Sequence, residues 1–153
     1  VAISAFQTVT LQESAMEPTY SVSEKFFVNR ALYKVSSPKR GDVIVFKTSA
    51  SDSAALHIRR VIGLPGETVQ VKDGKIYING KVYEENGAYQ DMTDGGLANS
   101  AITLESGEYF VLGDNRNNSE DSRFSDIGNI SKKYIVGKVW FTVSPKNKIG
   151  FIK

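Results

Sequence analysis

Apolar and polar positions alternate along this chain in short bursts, the period-2 signature of half-buried β-strands. Val9–Leu11 alternates, and Lys25–Asn29 carries Phe26, Phe27 and Val28. Asp42–Lys47 reads D-V-I-V-F-K, a β-branched run opened by Pro38 and Gly41. His57–Ile62 is a further run, closed by Gly63, Pro65 and Gly66. Thr68–Lys72, Lys75–Asn79 and Lys81–Tyr83 read as a meander, because Asp73-Gly74 and Asn79-Gly80 are strong two-residue hairpin signals. Glu108–Leu112 and Tyr134–Val143 are the last strong strands, and Ser131–Tyr134 predicts a brief helix with Ser131 as its cap. Residues 84–103 are polar and Gly-rich, which predicts a loop or a small lobe. With no repeat and no heptads, the class is all-β with short irregular connections.

Composition narrows this only a little. The chain has 153 residues, which suits one domain with a small appended lobe, and its 41% hydrophobic content is enough for a core. A net charge of +2, with Lys and Arg scattered, argues against nucleic-acid binding. Cysteine is absent and His57 is the single histidine, which removes the disulfide and zinc readings. No apolar run of about 18 residues exists to span a membrane. The chain starts at Val1 rather than Met, and Val1–Phe6 reads either as the stub of a membrane anchor or as a first strand.

Three segments are less ordinary. Glu13-Ser14-Ala15-Met16-Glu17-Pro18-Thr19 reads as a strand stopped by a proline. Arg59 through Glu67 reads as a strand running into a Gly-x-Pro-Gly turn, with its basic residues facing solvent. Gly113 through Arg123 follows a buried-looking strand yet has no large apolar side chain, so it must satisfy itself by hydrogen bonding. A calcium loop opening at Asp114 fails, because Arg116 stands where an oxygen ligand is needed and Ser125 where the bidentate Glu belongs.

Taken in order, these segments resemble type I signal peptidases, membrane-bound serine proteases that remove signal peptides outside the cytoplasmic membrane. The family's Ser-Met-x-Pro-Thr box reads Ala15-Met16-Glu17-Pro18-Thr19 here. Its Arg-Gly-Asp-hydrophobic box is Arg40-Gly41-Asp42-Val43-Ile44-Val45-Phe46. Its Lys-Arg-hydrophobic-hydrophobic-Gly-x-Pro-Gly-Asp box is Arg59 through Glu67, and its Gly-Asp-Asn-Arg-x-x-Ser-x-Asp-Ser-Arg box is complete from Gly113 to Arg123. A Gly-Lys-x-x-Phe-like segment follows at Gly137–Phe141. The resemblance implies a β-rich core with a small inserted cap lobe, here roughly residues 68–107 of a single extracytoplasmic domain.

It also implies a serine nucleophile and a neutral lysine base, and both positions depart from that pattern. The nucleophile position is Ala15, whose methyl group cannot attack a carbonyl. The base position is Arg59, and a guanidinium stays protonated in proteins. Ser14 is one residue away, and in an extended strand it points to the opposite face. Glu13 stands near the family's oxyanion hole, where a carboxylate repels the developing charge; it is also placed to pair with Arg59. By the same resemblance Ser119, Asp121 and Arg123, with Asp114 and Arg116, form the supporting frame. A substrate groove along residues 9–14 and 56–60 is expected to include Glu13, Ser14, Met16, Pro18, His57 and Ile58, and to take an extended peptide by strand addition.

The sequence therefore predicts a non-catalytic signal-peptidase-like protein at the outer face of a cell membrane, held there by an N-terminal anchor absent from this chain. Its expected partner is a peptide or surface protein such as a pilin, in the manner of the accessory proteins of Gram-positive pilus assembly. It needs no metal, cofactor or nucleic acid. The alternatives are a working signal peptidase silenced by engineered substitutions at positions 15 and 59, or a structural β-domain carrying the motifs by coincidence.

Overall fold

The computed structural model describes residues 5–152. Val1–Ser4, where the expected anchor stub begins, lie outside the described residues, while Phe6 opens the first strand. In chain order the strands are β1 (Phe6–Thr10), β2 (Lys25–Asn29), β3 (Val43–Phe46), β4 (His57–Gly63), β5 (Thr68–Lys72), β6 (Lys75–Ile78), β7 (Lys81–Val82), β8 (Ile102–Thr103), β9 (Glu108–Leu112), β10 (Ile130–Ser131), β11 (Ile135–Ser144) and β12 (Gly150–Phe151). One short helix, α1 (Leu32–Val35), joins β2 to β3. The expected helix at Ser131–Tyr134 is a 3-10 turn over Lys132–Tyr134, and the Ser131 side chain makes no cap bond, because Ser131 is drawn into β10.

All pairings are antiparallel. The larger sheet runs β1-β2-β11-β3-β4-β9-β10, with β12 added to β11. The smaller sheet runs β7-β6-β5-β8. Its two tight joints are set by sequence: Asp73 and Gly74, then Asn79 and Gly80, all take positive φ. That is the geometry a two-residue hairpin needs and that Asp-Gly and Asn-Gly supply at little steric cost.

Strand alternation decides which core each residue joins. Val43 and Val45 of β3 pack with Val9, Leu11, Met16, Phe26, Val28 and Ile58, while Ile44 and Phe46 pack on the opposite face with Tyr33, Val61, Tyr109 and Val111. Both faces of β3 are thus covered, which is why its four residues are all apolar and buried. Each such side chain contributes about 1.5–3 kcal/mol by leaving water. Because β1 and β4 share one apolar cluster although three strands lie between them in the sheet order, the sheet curls until these strands face each other. A third cluster fastens the small sheet to the large one: Val69, Val71 and Ile76 pack with Ile62, Leu104, Phe110 and Leu112. Residues 84–103 are irregular but anchored, with Met92 and Ala98 buried in this cluster.

Candidate functional site

Where β1 ends, the chain leaves the sheet through Glu13 and turns as a 3-10 helix over Ser14–Met16. The frame of Gly113–Arg123 pins this turn. Asn115 donates its backbone N–H to the Ala15 carbonyl at 2.8 Å and its side-chain amide to the Ser14 carbonyl at 3.1 Å. The strand expected here is therefore a turn, and the alternation that sent Ser14 to the far face does not apply. Ser14 lines the same cleft as Ala15. Among the described residues its hydroxyl has no hydrogen-bond partner, so no base activates it.

Arg59 occupies the middle of β4, opposite Ile44, and is 1% exposed. A guanidinium at that depth must be paired and hydrogen-bonded or it is strongly destabilising. It is satisfied in three ways. Nε donates to the Glu120 carbonyl at 2.7 Å, Nη1 donates to the Ile58 carbonyl at 2.7 Å, and Nη1 also pairs with the Glu13 carboxylate. The other Glu13 oxygen meets His57 Nδ1 at 3.0 Å. Burial pushes the Glu13 pKa up, but the hydrogen bonds of His57 and Arg59 and the Arg59 charge outweigh it and hold the group at about 2. Glu13 is thus a carboxylate at any ordinary pH, clamped between two residues of β4.

The frame behind this pair satisfies itself, as its composition requires. Asp121, fully buried, accepts from the Gly113 N–H at 3.0 Å, the Ser119 hydroxyl at 2.9 Å, the Arg123 N–H at 3.2 Å, and two Arg123 guanidinium nitrogens at 2.9 Å each. Arg123 also donates to the Asp94 carbonyl at 3.0 Å. Arg116 pairs with Glu85 and donates to the Gly113 carbonyl at 2.9 Å, with Tyr89 stacked 4.2 Å from its guanidinium. Both arginines therefore tie residues 85–94 to the core. No side chain larger than hydrogen fits at Gly113: a Cβ there falls 2.5 Å from the Ala15 carbonyl and closer still to the Ser119 hydroxyl.

Several pairings were not foreseen. Arg60, read as a solvent-facing strand residue, is 6% exposed and forms a bidentate pair with Asp114 at 2.9 and 2.8 Å. Burial opposes its charge, and Asp114 more than restores it, raising the Arg60 pKa above the usual guanidinium value. Arg40 grips Glu67 at 2.6 and 2.8 Å, while the same Glu67 accepts the Leu64 N–H at 2.7 Å. This bond with Arg40, opposed by burial, holds the Glu67 pKa below the usual carboxylate range. The Arg40 and Arg59 boxes are therefore bonded to one another across β3 and β4. An arginine inside a run of buried β-branched residues was the available signal for these hidden pairs.

Two depressions meet at Glu13. The first is a cleft of about 530 Å³ lined by Glu13, Ser14, Ala15, Arg59, Ser119 and the cap residues Thr93 and Asp94, among others. The second is a groove of about 510 Å³ between residues 7–13 and Ala55, Leu56 and Ile58. Among the described residues β1 pairs only with β2, so its outer edge opens on this groove. Residues 57–59 of β4 pair with β3 and leave their other edge free, since β9 joins only from Arg60 onward. An extended chain fits between two free edges by adding main-chain hydrogen bonds to each.

Of the residues expected around this site, Glu13, Ser14, Ala15, Arg59, Arg116, Ser119 and Arg123 line the cleft, and Glu13 and Ile58 line the groove. His57, expected in the groove, lines neither depression; its ring lies against Phe46 and its Nδ1 meets Glu13 at 3.0 Å. Asp114 and Asp121 lie buried behind. Met16 and Pro18 border neither depression. Met16 is fully buried in the core, and Pro18 lines a separate cavity with Arg40, Arg60, Tyr83 and Tyr89. Among the described residues no group of His, Cys, Asp and Glu could hold a metal ion, and no helix is long and apolar enough to cross a membrane.

Known proteins are similar to this chain in sequence and in fold. Residues 1–144 match the family described as signal peptidase, peptidase S26. The chain is 34% identical over 151 residues to a signal peptidase I of Bacillus licheniformis, with 94% of this chain and 80% of that protein covered. It is 35% identical to signal peptidase I T of Bacillus subtilis, with 94% and 77% covered. With the probable signal peptidase I-2 of Synechocystis it shares 32% identity over 93% of its length, though it spans only 65% of that protein. In three dimensions it resembles the crystal structure of a signal peptidase I from Enterococcus faecalis, with a TM-score of 0.51, 32% identity, and 67% of this chain and 96% of that chain covered. Four ordered sequence boxes, the curled β-sheet they build and the family match over nearly the whole chain lead to one conclusion: the protein belongs to the type I signal peptidase family.

Proposed function

We propose that this family member binds an extended peptide without cutting it, at the outer face of a cell membrane, and that its partner is a surface-assembled protein such as a pilin. The observation that carries the reading is the ion pair of Glu13 and Arg59 beside Ala15. Serine–lysine chemistry needs a hydroxyl and a neutral amine in contact. Here a methyl group faces the cleft, and the buried cation on β4 is a guanidinium whose Nε and Nη1 are committed to Glu120, Glu13 and Ile58. The groove keeps its two free strand edges, and strand addition requires neither catalytic group.

The test is a set of variants assayed against a signal-peptide substrate in detergent or lipid. The protein as it stands and Ala15→Ser both leave the substrate whole. Ala15→Ser combined with Arg59→Lys gives weak cleavage if the groove still seats the scissile bond. Robust cleavage by Ala15→Ser alone overturns the assignment of Arg59 to the base position. For the pilus role, a bulky substitution at Gln12 or Leu56, which line the groove without being buried, disrupts pilus assembly in cells while leaving the fold intact. Assembly that survives those changes but fails when residues 84–103 are altered moves the partner to the cap.

A further inference from the structure

The charges of the cleft are arranged unequally with respect to depth. Its three cations, Arg59, Arg116 and Arg123, are each no more than 2% exposed, and each is cancelled by its own carboxylate, Glu13, Glu85 and Asp121 respectively. No lysine lines the cleft. What remains on its rim is two carboxylates facing solvent. Glu120 gives its carbonyl to Arg59, but among the described residues its carboxylate has no partner. Asp94 gives its backbone carbonyl to Arg123, while its carboxylate accepts the Gly96 N–H at 2.8 Å and, among the described residues, pairs with no cation. Both are exposed. The remaining rim residues, Thr93, Asn117 and Asn118, are neutral. The protein as a whole carries a net charge of +2, so this negative rim runs against its average. The groove on the other side of Glu13 differs again: Val9, Leu11, Ala55, Leu56 and Ile58 alternate with the neutral Gln7, Thr8, Thr10 and Gln12, and Glu13 is its single charged residue.

We infer that the bound segment carries a lysine or arginine side chain over the cleft, next to an extended and largely apolar stretch in the groove. The inference rests on the peptide-binding reading above and adds the chemistry of the occupant. A cation on the occupant is attracted by Asp94 and Glu120, whereas an acidic residue meets two unpaired carboxylates and no free cation. Exposed charges act weakly one by one and are screened by salt, so the selectivity is modest and depends on ionic strength.

The probe is a set of labelled synthetic peptides sharing a randomised apolar extended half and bearing lysine, alanine or glutamate in the half that follows. Binding to the full chain is measured by fluorescence anisotropy at low and high salt. The lysine set binds about five- to tenfold more tightly than the glutamate set at low salt, the size expected of two exposed ion pairs. The preference shrinks to less than about twofold at molar salt. It shrinks equally in Asp94→Asn/Glu120→Gln, whose side chains keep their shape and, at Asp94, the bond to Gly96. Asp126→Asn, an exposed carboxylate outside the cleft, leaves it unchanged. If all three sets bind equally and binding is lost on blocking the groove, the peptide-binding reading stands and the inference is wrong. If no set binds at all, the reading and the inference fall together.

Discussion

The turn at Ala15 and the frame at Gly113–Arg123 touch each other, yet they have met different fates. The frame holds every polar group that its buried position demands: Asp121 alone takes up Gly113, Ser119 and Arg123. At the turn, the side chains at the nucleophile and base positions are a methyl group and a guanidinium, and the Glu13 carboxylate neutralises the latter. The difference separates what folding needs from what catalysis needs. A buried charge without partners destabilises the whole domain, so an arginine at the depth of Arg59 needs a carboxylate such as Glu13. A missing nucleophile has no such effect. On the proposed reading, the frame serves the fold whether or not the site cuts.

The sharpest way to break this comparison is to remove the frame's acceptor. Asp121→Ala leaves Arg123 buried and uncompensated and should lower stability by about 3–5 kcal/mol in urea unfolding. A loss comparable to that of an exposed carboxylate would show that the frame is not what holds the region together. Next comes Gly113→Ala, where the added methyl meets the Ala15 carbonyl and the Ser119 hydroxyl. Overpacking between two pieces of backbone should cost about 1–3 kcal/mol.

Much of this was legible in the sequence, and the remainder was hidden for physical reasons. Asp73-Gly74 and Asn79-Gly80 fixed their hairpins because few other residue pairs reach positive φ twice in succession. The polar run after Leu112 announced an internally bonded segment, because eleven residues without a large apolar side chain have no other way to lie beside a core strand. The 3-10 turn at Ser14–Met16 was missed, since three residues carry no periodicity and the turn is imposed by Asn115, a hundred residues away. The pairing of Arg60 with Asp114 was missed for a similar reason. Alternation says which face a residue takes, not that a carboxylate from another strand end will bury it.

A smaller effect tests the pair of Glu13 and Arg59 itself. The Glu13 pKa lies at about 2 in the fold against an ordinary value of 4.5, so the group favours the folded state above its unfolded pKa. That contribution is complete above roughly pH 5 and fades as the pH falls through 4.5 toward 2. Since the Glu13 side chain is 34% exposed, solvent screening reduces it to about 1–2 kcal/mol. Glu13→Gln should lose that amount at pH 7 and flatten the stability profile between about pH 5 and pH 2. An unchanged profile would mean that Glu13 does not serve Arg59. The smallest effect on stability belongs to Ala15→Ser. One oxygen added at the cleft should change unfolding by less than about 1 kcal/mol and produce no turnover.

The proposed binding without cleavage is open to mass spectrometry of a signal-peptide substrate after prolonged incubation with the protein in lipid. The substrate should be recovered whole from the protein and from Ala15→Ser alike. Product formed by the unaltered protein and abolished by Ser14→Ala would contradict it, because the serine that now shares the cleft with Ala15 would then have taken over the attack.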